Sequence, residues 1–142
     1  MKKNILTLFT ILFVTNFITA QNIGFHDLDL IKSKSKYEIE TLLKKNSYSF
    51  SANQPKSVQW KSKDDNNLIQ FNGKGVLVFL TYNYQSYKRM ILELKKTKYK
   101  YSGKTQKNGA KVESYEKGKE TIFLTSMKNP QNGRQIYSIT FI

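Results

Sequence analysis

A block of seven lysines is the first feature of this sequence that could do chemistry. Lysine attracts phosphate or sulfate and tyrosine supplies a stacking surface, so the interleaving of the two is typical of polyanion binding. Lysines on an edge strand also prevent unwanted strand pairing, a role that needs no ligand. If residues 98–101 form a strand, alternation separates the tyrosines from Lys98 and Lys100, which favours the second role. The block comprises Lys95, Lys96, Lys98, Lys100, Lys104, Lys107 and Lys111, with Tyr99 and Tyr101 between them.

Residues for catalysis or metal binding are sparse. The chain has one histidine, His26, and no cysteine, which excludes thiol catalysis and thiolate metal sites. His26, Asp27 and Asp29 lie within four residues near a chain terminus and make a weak metal site. The carboxylates are scattered, and the pair Asp64-Asp65 has the composition of a turn. We therefore predict no enzyme, no cofactor, no metal site and no small-molecule substrate.

The first twenty residues predict export. Lys2 and Lys3 precede an uncharged, mostly apolar run over residues 5–17, and Ala20 is a small residue before Gln21. This is the layout of a secretory signal peptide, and the apolar run is short for a membrane span. We expect cleavage after Ala20, no membrane segment in the remaining chain, and a periplasmic or extracellular location.

Residues 21–142 are strongly basic. The whole chain has 24 basic and 10 acidic residues, and the signal segment removes two lysines, which leaves 22 against 10 and a net charge of +12. Such a charge favours anionic partners and says nothing of fold. Nine tyrosines, Trp60 and several phenylalanines supply a core that needs no disulfide.

Hydrophobic spacing predicts an α+β domain. Residues 21–34 form a lead-in segment, and Ser35 with Glu38 matches the capping box of a helix. From Tyr48 the period changes to two and predicts four strands, with Asn72-Gly73 as a hairpin turn. The strand over 76–81 is apolar on both faces and so should be central. Asn83 then caps a second helix, which four more strands follow.

The recurrence of this order predicts an internal duplication. Residues 43–51 read LKKNSYSFS and residues 94–102 read LKKTKYKYS, with five of nine positions identical. Because lysine, serine and tyrosine are common in this chain, the short match alone also fits chance. The repeated order of a helix and four strands favours two repeats, 35–82 and 83–142. We expect one antiparallel sheet with both helices on a single face.

At the level of element order, this arrangement resembles the β-lactamase-inhibitor-protein class. Those exported proteins consist of two such repeats, and their concave sheet grips another protein. The resemblance implies a protein partner, and no residue is carried over from it, since no motif is shared. The chain also resembles small exported bacterial proteins of unknown function, which implies nothing about activity.

Two binding hypotheses follow. In the first, the chain is a non-catalytic module whose helix-free sheet face meets an unknown protein partner through aromatic residues. Trp60, Tyr82 and Tyr115 are the candidates, because aromatic side chains dominate protein hot spots, although Trp60 equally fits a core position. In the second, the block from Lys95 to Lys111 binds anionic envelope lipid, glycan or nucleic acid.

Overall fold

Three helices and eight strands form in residues 23–54, 57–72 and 75–142, the part of the chain that this computed structural model describes. The predicted α+β class is confirmed, whereas the predicted signal segment 1–20 and the turn residue Gly73 lie outside the described residues. The helices are α1 (Phe25–Ile31), α2 (Lys36–Lys45) and α3 (Tyr84–Leu94). The strands are β1 (Tyr48–Gln54), β2 (Ser57–Ser62), β3 (Asn67–Asn72), β4 (Leu77–Thr81), β5 (Lys100–Lys107), β6 (Ala110–Lys117), β7 (Glu120–Lys128) and β8 (Gln135–Phe141).

The eight strands pair as one open antiparallel sheet in the order β1-β2-β3-β4-β8-β7-β6-β5. Each half of the chain contributes a four-stranded meander, and the meanders meet where β4 pairs with β8. The expectation that the strand over 76–81 is central is confirmed, because β4 lies between β3 and β8. The first strand of each meander, β1 or β5, forms an outer edge of the sheet.

The core lies on one face of this sheet. Side chains of a strand alternate between faces, and the strand register aligns one buried residue from each neighbouring strand into a row. Burying each large apolar side chain contributes about 1.5–3 kcal/mol, so rows of this kind fix which face the helices cover. The central row consists of Trp60, Ile69, Phe79, Ile139 and Leu124, none more than 6% exposed.

All three helices contact this buried face. Phe25 of α1 stacks on Phe141 of β8, with ring centroids 5.5 Å apart. Tyr87 of α3 stacks on Tyr137 of the same strand at 4.8 Å. Ile39 of α2 packs against the core from the side of β1. The opposite face carries half-buried apolar side chains among Gln, Ser and Thr, so it is not fully polar; its apolar members include Leu68, Val78, Leu80 and Phe123.

The lead-in segment contains α1, and α3 holds it in place. Phe25 of α1 is 1% exposed, and its backbone N–H donates to Glu93 Oε2 of α3 at 2.7 Å. Arg89 of α3 donates through Nη2 to the carbonyl of Ile23 at 3.2 Å. A side chain at Gly24 would meet the Glu93 carboxylate at 2.8 Å, so the approach of this segment to α3 requires glycine at that position or movement of Glu93.

The predicted helix caps are confirmed. Ser35 Oγ accepts from the N–H of Glu38 at 3.4 Å, and Glu38 Oε2 accepts from the N–H of Ser35 at 2.9 Å. Asn83 Oδ1 accepts from the N–H groups of Gln85 and Ser86. These bonds satisfy amides that have no partner within the first turn of a helix. Within the described residues, none of the helices is long and apolar enough to cross a membrane.

Candidate binding cleft

An open cleft of about 480 Å³ lies between α2 and the first three strands. Its charged lining residues, Lys36 and Glu40, belong to α2, which faces an apolar floor across the cleft. Concave, mainly apolar surfaces with a few polar groups are the usual form of a binding site. The apolar lining consists of Ile39, Phe50, Val58, Trp60 and Phe71.

An aromatic pair shapes the outer wall of the cleft. Phe50 of the edge strand β1 pairs with Trp60 of β2, and their rings meet edge to face at 5.8 Å. Trp60 is 6% exposed, whereas Phe50 is 55% exposed. A β-bulge follows Phe50, where the register shifts before Ala52. Phe50 thus keeps a large part of its ring in water although it lies on the face that the helices cover.

The charge that remains at the cleft is positive. Glu40 Oε1 lies 2.7 Å from Lys44 Nζ, and this hydrogen bond, with the charge of Lys44, lowers the pKa of Glu40. Lys34, which precedes α2, lies 3.7 Å from Glu38 in the first turn of that helix. Lys36 is exposed and, among the described residues, has no carboxylate within ion-pair distance. An incoming group therefore meets an ammonium beside an apolar floor.

The three aromatic candidates from the sequence lie in different places. Trp60 is buried and lines the cleft, and Tyr115, also 6% exposed, packs on the same covered face. Neither offers an aromatic ring on the helix-free face. Tyr82 follows β4 and is half-buried, with the guanidinium of Arg134 4.3 Å from its ring centroid. Asn129 Nδ2 donates to the Tyr82 hydroxyl at 3.4 Å, so the side chain of Tyr82 contacts the loop between β7 and β8.

Comparison with family models, with curated proteins and with solved structures finds no match to this chain. Its function is therefore inferred from the chemistry of its own residues. The cleft is one candidate site, and the lysine block is the other.

The lysine block lies on and beside the edge strand β5. Six of its members are exposed, namely Lys95, Lys96, Lys98, Lys100, Lys104 and Lys111, and Lys107 belongs to the same strand. Within the described chain, the ion pair of this block joins Lys104 to Glu113 at 3.7 Å. The other described ammonium groups of the block therefore remain available to an anion.

A β-bulge changes the faces of the lysine block. Lys100 and Tyr101 lie on opposite faces, as alternation predicts. The register shift between Tyr101 and Gly103 then adds one residue, so Lys104 lies on the same face as Tyr101. Tyr101 is 57% exposed and meets Tyr115 edge to face at 5.6 Å. A stacking surface and a cation thus share one face, which the sequence pattern alone did not indicate.

The residues around His26 have structural partners. His26 is exposed on α1, and Asp27 Oδ2 accepts from the N–H of Gly24 at 2.9 Å. Asp29 Oδ1 lies 3.4 Å from the Tyr99 hydroxyl, whose hydrogen points to the closer Glu120 carboxylate. Among the described residues, no group of three His, Asp or Glu side chains is placed to hold a metal ion.

Sequence reasoning missed most of the cleft. The period of two that begins at Tyr48 predicts strands containing Phe50, Val58 and Phe71, and nothing in their spacing shows that α2 leaves them uncovered. The match between Phe50 and Tyr101 in the two similar nonapeptides was the available signal, because both side chains prove to be exposed edge aromatics.

Proposed function

We propose that this chain is an exported, non-catalytic binding module that holds a protein partner at the cleft between α2 and β1–β3. The half-exposed ring of Phe50, set against Trp60 above an apolar floor, is the observation that carries this proposal. Exposed aromatic surface in a concave, preformed site is what a partner covers, since buried aromatic anchors dominate binding energy at protein interfaces.

We further propose that the chain arose by tandem duplication, with residues 35–82 and 83–142 as its repeats. The two edge strands support this proposal. Phe50 of β1 and Tyr101 of β5 occupy equal places in the two similar nonapeptides, and each is followed by a β-bulge. Each also meets a 6% exposed aromatic residue of the next strand edge to face, Trp60 in one half and Tyr115 in the other.

The junction of the meanders supports the same proposal. Leu77 pairs with Phe141, and Phe79 pairs with Ile139. These two pairs exchange if a two-fold axis passes between β4 and β8, and the pair of Val78 with Thr140 then lies on the axis. Any antiparallel pair has such an axis, so the support comes from its position, which makes Phe79 equivalent to Phe141. The register of the other strands gives the same equivalence, because it aligns Trp60, Ile69 and Phe79 in the first half and Tyr115, Ile122 and Phe141 in the second. The likeness to the β-lactamase-inhibitor-protein class rests on this order of elements and adds weight to a protein partner.

Export is part of the proposal. The described body begins at Ile23, which is 2% exposed and bound through its carbonyl to Arg89. Cleavage after Ala20 would leave this anchored segment whole. Amino-terminal sequencing of the protein from the periplasm or medium should then give Gln21, and retention of Met1 would contradict export by cleavage.

A second candidate function is the binding of anionic envelope lipid, glycan or nucleic acid by the lysine block. The exposure of six lysines, together with the placement of Lys104 beside Tyr101, favours it. The attraction would be mainly electrostatic, because an ammonium is a point charge that gives no bidentate geometry to a phosphate.

One experiment separates these candidates. Tagged protein comprising residues 21–142 is incubated with envelope and medium fractions of the producing cell, then washed at low and at high salt. A single protein that remains through high salt supports the cleft, because apolar contacts are not weakened by salt. Heterogeneous anionic material that high salt releases supports the lysine block.

A further inference from the structure

The two similar nonapeptides also align the helices that precede β1 and β5. Their spacing of 51 residues places Leu43 of α2 at the position of Leu94 of α3, and both side chains are fully buried. The same spacing places Lys36 at the position of Tyr87. A lysine that lines the cleft therefore corresponds to a tyrosine in the second half.

Tyr87 fills the space in the second half that the cleft leaves open in the first. Its side chain is 7% exposed and stacks on Tyr137 at 4.8 Å. Burial raises the pKa of its hydroxyl, and electrostatic interaction with Glu113 raises it further. By strand register, Glu113 and Tyr115 correspond to Val58 and Trp60, which line the cleft.

The first half also lacks rings at the positions that correspond to Tyr84 and Tyr137, the two tyrosines beside Tyr87. In the second half, the ring centroids of Tyr84 and Tyr137 lie 5.4 Å apart. Tyr84 corresponds to Ser33 by the helix spacing, and Tyr137 corresponds to Gly75 by the pairing of β4 with β8. Small residues thus stand at the positions that correspond to two of these rings, while the lining of the cleft includes the aromatic residues Phe50, Trp60 and Phe71.

We propose that the cleft takes one aromatic side chain of the partner, in the place that Tyr87 occupies in the second half. This proposal rests on the proposed function of the cleft as a protein-binding site and on the proposed duplication. An aromatic ring gains energy beyond its buried area by offset or edge-to-face packing on other rings, and the aromatic residues Phe50 and Trp60 both line the cleft.

The charges at the cleft determine which residues are favoured beside the aromatic residue of the partner. Glu38 and Glu40 are each paired with a lysine of the same segment, whereas Lys36 stays exposed beside the cleft. The whole chain carries 24 basic and 10 acidic residues. Carboxylates next to the aromatic residue of the partner are therefore attracted, and lysines there are repelled.

Trp60 makes the test direct, because it is the one tryptophan of the chain and it lines the cleft. Its fluorescence is followed while residues 21–142 are titrated with acetyl-Asp-Tyr-Asp-amide or with acetyl-Asp-Leu-Asp-amide. We expect the tyrosine peptide to change the emission with a dissociation constant of about 1 mM, roughly threefold to tenfold tighter than the leucine peptide. These titrations use the unmodified chain and do not depend on the folding of a variant.

The substitution Lys36→Tyr supplies the missing ring from within. We expect it to change the emission of Trp60 in the free protein. We also expect it to weaken the binding of the tyrosine peptide by about tenfold, because the new side chain and the tyrosine of the peptide would occupy the same space. Lys45→Tyr, at an exposed position of the same helix, is the matched control and should change neither. Unchanged emission and peptide binding in the folded Lys36→Tyr protein would overturn the proposal.

The outcomes also distinguish this inference from the proposed function. Equal binding of the leucine and tyrosine peptides, lost in both cases on Lys36→Tyr, overturns the aromatic preference and leaves the cleft as a binding site. Absence of any effect of either peptide, with capture of the same salt-resistant partner by Lys36→Tyr and unmodified protein, overturns both.

Discussion

Replacing Phe25 with alanine tests whether the short helix α1 is part of the hydrophobic core. Phe25 is 1% exposed, stacks on Phe141 at 5.5 Å and meets Tyr99 edge to face at 6.2 Å. Truncating a fully buried phenylalanine costs about 3–5 kcal/mol through lost transfer energy and the cavity left behind. For a domain of this size, that loss lowers the melting temperature by about 10–20 °C.

The assay for this variant is urea unfolding of residues 21–142, followed by circular dichroism. His26→Ala is the matched control, because His26 is exposed on the same helix, and it should change the unfolding free energy by less than about 0.5 kcal/mol. A loss below about 1 kcal/mol for Phe25→Ala would show that α1 is not a structural part of the domain.

Two further predictions concern charge. Glu120 has its pKa lowered from an ordinary value of 4.5, chiefly by the hydrogen bond from the Tyr99 hydroxyl, so its stabilising effect is present above that pH and is lost as the pH falls through the lowered value. Tyr99→Phe should therefore lower the unfolding free energy at pH 7 by about 1 kcal/mol, a figure reduced for the exposure of Glu120, and should lower it by less near pH 3. A loss of unfolding free energy that stays constant with pH, or an equal loss for Tyr101→Phe, would contradict this account. Changing Lys98, Lys100 and Lys104 together to glutamine should lower the salt concentration that elutes the protein from heparin, because each phosphate or sulfate contact adds to the salt dependence. Equal retention of the variant and the unmodified protein would exclude the lysine block as a polyanion site.

Local signals made much of the fold predictable. The capping box of Ser35 with Glu38 and the cap at Asn83 need only bonds within three residues, so sequence spacing suffices to find them. The strand over 76–81 is apolar on both faces, which predicts a central strand, and β4 is central. The Asn72-Gly73 dipeptide indicated the hairpin of β3 with β4, which is paired as expected.

Features that depend on distant contacts were beyond the sequence. The β-bulges after Phe50 and Tyr101 arise from pairing with the neighbouring strand, and one of them moves Lys104 to the other face. The burial of α1 depends on its contacts with α3 and β8, so the segment reads only as a weakly apolar lead-in. The cleft depends on how far α2 covers the floor around Trp60, and no local pattern records that distance.

The most direct test of the cleft as the binding site compares two edge aromatics in one capture experiment. Phe50 and Tyr101 are 55% and 57% exposed and pack in the same way on a buried aromatic ring, so alanine at either should cost the fold a similar small amount. Of these two residues, Phe50 lines the cleft and Tyr101 does not. We predict that Phe50→Ala loses the partner retained through high salt, whereas Tyr101→Ala keeps it. Equal retention by the two variants, or loss with Tyr101→Ala alone, would contradict the assignment of the cleft.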